Sequence, residues 1–271
     1  MKQSFIMVIL LMATVVTVCG ASLDDSFAAA ADDRAALTPL IMEVSAVLPT
    51  LPQDEALALA DRVAPFCRQL FYSNLPAADS SWVGLVTHRV APGETPVAIA
   101  RRYRCSVELI ARLNADYDPR GLRIDQTLTV LDLATVPLEI IVSRSSYRMM
   151  LWRGPHLIGV FRCGLGRDRS PTPLGSTNVA MCVRNPEWRD PDTGKIFKPQ
   201  DKGNVLGGYW IGFDHGPTAQ FKGIGIHGFT AESSDVWLEK NGSHGCVRLT
   251  QEDISWVFDL IRPGIRVTIR E

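Results

Sequence analysis

The stretch Gly242-Ser243-His244-Gly245-Cys246-Val247-Arg248-Leu249 carries a cysteine two residues after a histidine and two residues before an arginine. A second histidine lies upstream, in Ile224-Gly225-Ile226-His227-Gly228. Cysteine reacts as the thiolate, whose formation needs a base or a positive neighbour, and either histidine can provide one. A glycine beside the cysteine lets backbone N–H groups face a developing oxyanion. We therefore predict that Cys246 is a nucleophile whose pKa lies below the ~8.5 of free cysteine.

Around these two motifs, residues 137–271 show β patterning followed by a helix. Strands are predicted at 139–143, 147–152, 156–163, 178–183 and 265–269, and a helix with an apolar stripe is predicted at 251–261. The polar stretch 185–204 is predicted to be a long loop, a kind of segment that often forms a lid or a binding loop. The pattern as a whole predicts an α+β fold with a β-rich C-terminal domain.

The Ser-His-Gly-Cys-Val-Arg string with its upstream His-Gly pair resembles the signature of the YkuD-type L,D-transpeptidases. The resemblance covers 137–271, about half of the chain, and includes a Thr-Pro-x-Gly turn at 172–175. It implies a catalytic domain in which the histidine matching His227 is the base and the one matching His244 shapes the oxyanion site. Amides around His244, Gly245 and Cys246 would donate to the oxyanion. Arg248 would either hold the loop or attract a substrate carboxylate.

The resemblance also implies the wider set of site residues. The candidate catalytic residues are Cys246, His227, His244, Gly245, Ser243 and Arg248, and the candidate substrate-binding residues are Gly228, Tyr209, Trp210 and Thr172. No metal or organic cofactor is implied. A zinc site made of the two histidines and the cysteine is disfavoured, because it offers only three ligands at an uncommon spacing. Phe229 replaces the small or hydroxyl residue that the family often has after His-Gly, which bears on the choice of acceptor.

The reaction that the resemblance implies is an acyl transfer in peptidoglycan. Cys246 attacks the carbonyl of the third residue of a stem tetrapeptide, the terminal D-alanine leaves, and an amine of a second stem takes the acyl group. Two alternatives remain open: an L,D-carboxypeptidase, in which water replaces the amine, and a non-catalytic wall-binding protein. The expected partners are stem peptides and glycan strands. The formal net charge of −1 gives no electrostatic argument for nucleic acid.

The segment 82–133 has a different pattern, which predicts strand, helix, helix and strand in that order. Pro92-Gly93-Glu94-Thr95 and Leu113-Asn114, with an Ile-Ala pair and a tyrosine between them, resemble a LysM module. That family is a small βααβ domain that binds glycans containing N-acetylglucosamine, although a fold alone does not fix a function. By position, the groove would be flanked by Gly93, Glu94, Thr95, Asn114 and Ala115. Arg104 stands where many such modules have a helix-ending glycine.

The N-terminus has the pattern of a secretory signal at 1–21, with Lys2 before an apolar run and small residues before a cleavage site after Ala21. The apolar run is shorter than the ~20 residues of a membrane-spanning helix. A lipoprotein signal at Cys19 is the alternative, but Val18 stands where that signal wants a small residue. We expect an exported protein, periplasmic or associated with the cell wall. The segment 22–81 is predicted to form two helices and a linker, with Pro65 kinking or splitting the second helix.

Cleavage after Ala21 leaves five cysteines, an odd number that suggests a free reactive thiol in an exported chain. Cys246 is the natural candidate for that thiol. The other four are Cys67, Cys105, Cys163 and Cys182. They either form two disulfides in an oxidising compartment or serve as small buried apolar residues.

Overall fold

The computed structural model describes residues 23–72, 84–114, 117–230 and 235–271. The predicted signal peptide at 1–21, the linker at 76–81, Trp82 and Ala115 lie outside these residues. The chain divides into two compact units, Met1–Leu75 with Pro155–Ile158, and Pro76–Gly154 with Gly159–Glu271. The domain boundaries at 82–133 and 137–271 remain predictions. Of the helices described, none combines the length and the apolar character needed to cross a membrane.

The first unit is helical over residues 23–72. Its helices are α1 (Leu23–Asp32), α2 (Leu37–Val47) and α3 (Gln53–Tyr72), joined by 3₁₀ turns at Arg34–Ala36 and Leu48–Thr50. Apolar residues of α2 and α3 are fully buried and form its core, among them Leu40, Ile41, Val44, Ala60 and Val63. Helix α3 continues through Pro65, so the proline does not split it. Burial of the apolar face outweighs the one hydrogen bond that proline removes.

Residues 84–133 form the predicted βααβ module. Strand β1 (Leu85–Arg89) pairs antiparallel with β2 (Thr127–Leu131), and α4 (Pro96–Tyr103) and α5 (Val107–Leu113) lie between them in sequence. The hydroxyls of Thr95 and Ser106 accept hydrogen bonds from the first turns of α4 and α5 and so cap both helices. Arg104 ends α4 in the left-handed region, with φ 54°, which glycine adopts at lower cost.

The C-terminal region is built on a mixed sheet. Its strands are β3 (Leu138–Ser143), β4 (Arg148–Arg153), β5 (His156–Arg162), β6 (Leu165–Gly166), β7 (Gly175–Arg184), β8 (Trp188–Arg189), β9 (Ile196–Phe197), β10 (Tyr209–Phe213), β11 (Gly225–Gly228), β12 (Asn241–Ser243), β13 (Val247–Leu249) and β14 (Arg266–Arg270). Within the described ranges, the main sheet has the order β13-β11-β10-β7-β14-β3-β4-β5, and β6–β12 and β8–β9 form smaller pairs. The predicted α+β fold with a β-rich C-terminal domain is confirmed.

Helix α6 (Gln251–Leu260) packs behind the strands that carry the sequence motifs. It begins at the Thr250 cap, whose hydroxyl accepts from the N–H of Asp253 at 3.1 Å. Its buried apolar residues, Ile254 and Val257 among them, face β10 and β11. This packing holds β11, and with it His227, at a defined place in the sheet.

The βααβ module contacts the C-terminal end of α6 through a buried carboxylate. Asp259, with a side chain 2% exposed, forms ion pairs with Arg112 at 2.5 Å and with Arg184 at 3.2 Å. The Asp259 carbonyl accepts a hydrogen bond from Ser106 Oγ at 3.0 Å. The Arg112 guanidinium also lies 4.1 Å from the ring centroid of Trp256. Polar bonds and a cation–π contact therefore join the module to the C-terminal region.

The cysteines in the described part of the chain are all free thiols. Burial raises the pKa of Cys67 and Cys163 to about 12, and that of Cys105 and Cys182 to about 11. Of the two alternatives drawn from the sequence, the structure has these four as small buried or half-buried apolar residues and not as disulfides.

Candidate active site

A cleft of about 440 Å³ brings the two sequence motifs together. Cys246 and His227 both line it, with Ser243, His244 and Arg248 beside them. The cause is the parallel pairing of β11 with β13, which sets His227 opposite Arg248 in register. Residues that lie far apart in sequence therefore face one space.

The cysteine loop, residues 243–246, is a tight turn held by Ser243. The Ser243 hydroxyl accepts from the Gly245 N–H at 3.0 Å and donates to the Cys246 carbonyl at 2.6 Å. Gly245 has φ 112°, and a Cβ at this position would lie 2.7 Å from Ile224 Cδ1. Ser243 and Gly245 therefore shape the loop. Because Ser243 already uses the Gly245 N–H, the amides of His244 and Cys246 are the better candidates for oxyanion donors.

Cys246 and His227 are both neutral in the resting site. Burial raises the pKa of Cys246 to about 11, although the Gly225 amide and the charge of Arg248 act in the opposite direction. Burial lowers the pKa of His227 to about 4, and Arg248 lowers it further, while the Gly228 carbonyl opposes both. The prediction that Cys246 titrates below free cysteine is therefore corrected. In this buried cleft, the free-energy cost of desolvating a charged side chain exceeds the stabilisation that the neighbouring groups provide.

The protonation of the His227 ring follows from its hydrogen bond. Nδ1 contacts the carbonyl oxygen of Gly228, so we assign the proton to Nδ1. Nε2 then carries the lone pair that can accept a proton. The Cys246 thiol donates to the Gly223 carbonyl at 3.7 Å. A neutral imidazole with an acceptor nitrogen is the form that a general base requires.

Arg248 stacks on the ring of Phe229, the residue that departs from the family pattern. The guanidinium carbon lies 3.8 Å from the Phe229 ring centroid. Phe229 itself is buried with Trp237 and Leu238, and the two aromatic rings meet edge to face at 5.3 Å. Of the two roles predicted for Arg248, this contact supports the one in which it holds the loop.

Trp210 is the predicted substrate-binding residue that the structure places in the cleft. Its ring stacks on His227 with 6.0 Å between centroids and 30° between planes. Tyr209 precedes it in β10, so its side chain points to the opposite face of the sheet. There the ring of Tyr209 packs on Phe258 at 5.1 Å. Trp210 therefore lines the cleft and Tyr209 does not, so substrate binding by Tyr209 stays a prediction.

Thr172 and Gly228 also lie outside the cleft lining. Thr172 is 1% exposed, and its hydroxyl accepts from the Gly166 N–H at 2.9 Å, which closes the turn at 166–172. Gly228 is buried in β11, where a Cβ would lie 2.3 Å from Gln251 Nε2. Both residues therefore shape the fold around the site, and their role in substrate binding stays a prediction.

The residues predicted to flank the glycan groove differ in the space around them and in the partners of their side chains. Gly93 has φ 79°, and a Cβ placed there would meet no atom within 4 Å. Glu94, with a side chain 13% exposed, is hydrogen-bonded to the buried His88 at 2.8 Å and forms an ion pair with Arg102 at 3.1 Å. Thr95 caps α4. The Glu94 and Thr95 side chains thus stabilise the loop, whereas the backbone at Gly93 faces open space.

Asn114 joins the second helix of the module to its last strand. Its amide donates to the carbonyls of Ile110 and Thr129 at 2.7 and 2.8 Å, and its oxygen accepts from the Thr129 N–H at 2.8 Å. The side chain of Asn114 is therefore engaged with the backbone of the module, and its place beside a glycan groove stays a prediction. Ala115, the other residue predicted on this side of the groove, lies outside the described residues.

The polar stretch 185–204 contains a hairpin that forms one side of the cleft. Strands β8 and β9 pair antiparallel, and the rings of Trp188 and Phe197 stack at 5.4 Å. Trp188, Arg189 and Pro191 line the cleft together with Cys246. This position agrees with the expected lid or binding loop. We refer to residues 186–197 as the cleft hairpin.

Asp192, at the tip of the cleft hairpin, is a residue of the site that sequence reasoning missed. Its Oδ2 lies 2.9 Å from His244 Nε2, and its Oδ1 lies 3.2 Å from the Arg167 guanidinium. Asp190-Pro191-Asp192-Thr193-Gly194 has the composition of a turn. No spacing rule, however, connects that turn to a histidine 52 residues further along the chain.

The zinc alternative finds no support in the described part of the chain. No group of three or more His, Cys, Asp or Glu side chains there is arranged to hold a metal ion. The contacts of the two histidines agree with this, because His227 bonds to a backbone carbonyl and His244 turns to Asp192.

Comparison with known proteins relates both parts of the chain to described families. Residues 137–269 match the L,D-transpeptidase catalytic domain, and residues 88–130 match the LysM domain. The chain is 30% identical over 132 residues to YqjB of Bacillus subtilis, named as an L,D-transpeptidase, covering 49% of this chain and 70% of that protein. It is 23% identical over 188 residues to the Bacillus licheniformis protein named L,D-transpeptidase YkuD. This match covers 68% of this chain and 99% of that protein. A solved L,D-transpeptidase from Mycobacterium tuberculosis H37Rv is 21% identical with a TM-score of 0.40, covering 50% of this chain and 58% of the other.

Proposed function

Because the chain belongs to the L,D-transpeptidase family and also carries a LysM domain, we propose that it is an exported enzyme that cross-links peptidoglycan with Cys246 as its nucleophile. The observation that carries this proposal is the shared cleft, which Cys246 and a neutral His227 line together. Family membership supports the class of acyl transfer. The cysteine, the thioester and the leaving D-alanine are our proposal.

In the proposed acylation, Sγ of Cys246 attacks the carbonyl carbon of the third residue of a stem tetrapeptide, a diamino acid, at its L-centre. Nε2 of His227 takes the thiol proton as the carbon–sulfur bond forms, so no free thiolate is needed beforehand. The amides of His244 and Cys246 would donate to the oxyanion. The carbon–nitrogen bond then breaks, and His227 passes the proton to the leaving amine of D-alanine. A thioester on Cys246 remains.

In the proposed second step, a side-chain amine of another stem attacks the thioester. The new carbon–nitrogen bond forms as the carbon–sulfur bond breaks, and the amine proton returns to sulfur through His227. The products are an L,D cross-link and the free thiol. If water attacks instead, the product is a stem tripeptide, and the chain acts as an L,D-carboxypeptidase with the same residues.

Mass spectrometry of purified stem tetrapeptides incubated with the protein tests this proposal. We expect a transient mass increase of the protein that matches the acyl group, release of D-alanine and formation of cross-linked dimers. A tripeptide as the main product would assign the carboxypeptidase reaction. Absence of both adduct and product would contradict the enzymatic proposal and favour the wall-binding alternative.

We also propose that residues 84–133 bind glycan strands through the exposed backbone around Gly93. Supporting this is the open space at Gly93, next to side chains that are occupied within the module. Binding of glycan raises the effective concentration of stem peptides near Cys246. The secretory pattern at 1–21 supports an exported enzyme, acting in the periplasm or at the cell wall.

The variant Gly93→Asn should weaken binding of the full-length protein to insoluble peptidoglycan about five-fold, which corresponds to ~1 kcal/mol. Asparagine tolerates a positive φ, so the module should keep its fold while the new side chain fills the proposed groove. The matched control is Gly264→Asn, since Gly264 has φ 91° and equally open surroundings. Co-sedimentation measures both variants. Equal retention of the two variants and the wild type would contradict a glycan site at Gly93.

A further inference from the structure

The cleft hairpin contacts the cysteine loop through the carboxylate of Asp192. Asp192 reaches His244, the residue two before the nucleophile, at 2.9 Å. The hydrogen bond from His244 holds the pKa of Asp192 below its usual range, and the Arg167 guanidinium acts in the same direction. Asp192 is therefore ionised at neutral pH and binds two donors from the far side of the cleft.

The turn at the hairpin tip presents Asp192 in a defined direction. The Asp190 carboxylate accepts from the N–H groups of Asp192 and Thr193 at 2.8 and 3.4 Å. The Gly194 N–H bonds to the Asp190 carbonyl at 2.8 Å. These bonds form an Asx turn within the tip itself, which sets the backbone position of Asp192.

The second partner of Asp192 belongs to the segment that braces the cysteine loop. The Arg167 N–H donates to the Ser243 carbonyl at 2.8 Å, and Ser170 Oγ donates to the His244 carbonyl at 3.1 Å. Residues 167–170 thus hold the backbone of the cysteine loop, and Asp192 holds the side chain of His244. Release of Asp192 would free the hairpin while leaving the backbone of the loop in place.

We propose that Asp192 is a positioning residue that latches the cleft hairpin over Cys246 and so directs the acyl group to an amine instead of water. The inference rests on the proposed function. A latched hairpin keeps Trp188, Arg189 and Pro191 against the thioester, where they exclude water and give the incoming stem a wall to pack on. An unlatched hairpin admits water and removes that wall, so both effects shift the products toward hydrolysis.

Transfer to an amine and hydrolysis by water both start from the thioester on Cys246. In transfer, the amine nitrogen bonds to the acyl carbon, the carbon–sulfur bond breaks and the amine proton goes to sulfur. In hydrolysis, the oxygen of water takes the place of the nitrogen and releases the stem tripeptide as an acid. The ratio of cross-linked to hydrolysed product therefore reports access to the thioester, independently of how fast it formed.

The test compares Asp192→Asn with the wild type, using a purified stem tetrapeptide as donor and a fixed concentration of acceptor stem. We expect the ratio of cross-linked to hydrolysed product to fall about three- to five-fold, the scale of an exposed ion pair. Thioester formation should still be observed, since Cys246 and His227 are untouched, and the product ratio does not depend on the rate of that step. Hydrogen exchange of residues 186–197 should become faster. The variant Asp192→Glu, which keeps a carboxylate, should retain most of the wild-type ratio of cross-linked to hydrolysed product.

The matched control is Asp190→Asn, which changes the same chemical group two residues away. Asparagine keeps the oxygen that accepts from the turn, and Asp190 has no contact with His244. Its product ratio should equal that of the wild type. An unchanged ratio in Asp192→Asn, with thioester forming in both proteins, would overturn the latch alone. Absence of any thioester in the wild type would overturn the proposed function and the latch with it.

Discussion

Replacing Cys246 with alanine should abolish D-alanine release from a stem tetrapeptide, with a rate loss of at least about 10⁴-fold. The thiol is the proposed nucleophile, and no other side chain lining the cleft is a thiol. Without it the thioester cannot form, so the protein should also show no acyl adduct in its intact mass. Binding to peptidoglycan should persist, because the module around Gly93 is unaltered.

The control for this experiment is Cys182→Ser, a thiol of the same chain away from the cleft. Cys182 is half-buried and donates to the Ile261 carbonyl at 3.6 Å, a bond that a serine hydroxyl can keep. D-alanine release by this variant should stay within about two-fold of the wild type. Equal activity of Cys246→Ala and the wild type would refute the assignment of the nucleophile.

Replacing His227 with glutamine should slow D-alanine release about 10²- to 10⁴-fold, the usual contribution of a general base. Glutamine has a similar size and can keep the packing against Trp210, so the loss should report proton transfer and not unfolding. His215→Gln is the control, since His215 is exposed and does not line the cleft. A His227→Gln enzyme with wild-type rates would assign the base to another group.

The pH dependence of acylation and of alkylation distinguishes a neutral Cys246–His227 pair from a preformed thiolate–imidazolium ion pair. With a pKa of about 4, His227 is neutral above roughly pH 5, and acylation should fall only as the pH drops toward 4 and the ring becomes protonated. With a pKa of about 11, Cys246 is a thiol at neutral pH, so its alkylation by iodoacetamide should keep rising to at least pH 10. An alkylation rate that levels off near pH 7 would instead indicate a resting ion pair.

The strands and the helix of the C-terminal region were largely predictable because their apolar residues repeat with the right period. In β14, Val267 and Ile269 are buried while Arg266 and Arg270 are exposed, which is the alternation that the sequence pattern shows. The same alternation separates Tyr209 from Trp210, since neighbouring residues of a strand face opposite sides of the sheet. Trp210 lines the cleft, whereas the ring of Tyr209 packs on Phe258.

The protonation states and the latch could not be predicted, since both depend on distant parts of the chain meeting. The pKa of Cys246 is set by the protein packed around it, including Gly225 on another strand. Asp192 reaches His244 only because the cleft hairpin folds over the cysteine loop. Local sequence indicates which residues are reactive, whereas burial and long-range contacts decide their charge and their partners.

The contacts of the buried Asp259 fix the position of the βααβ module relative to α6. The ion pair from Arg112 and the hydrogen bond from Ser106 to Asp259 hold the module against α6, so the two elements are not joined by a flexible linker alone. In the proposed enzyme, the distance from the sugar-facing loop to the thiol is then a constant of the fold. A module bound to one sugar would then hold Cys246 at a fixed spacing along the glycan strand. The sugar repeat would therefore determine which stem peptides can reach Cys246.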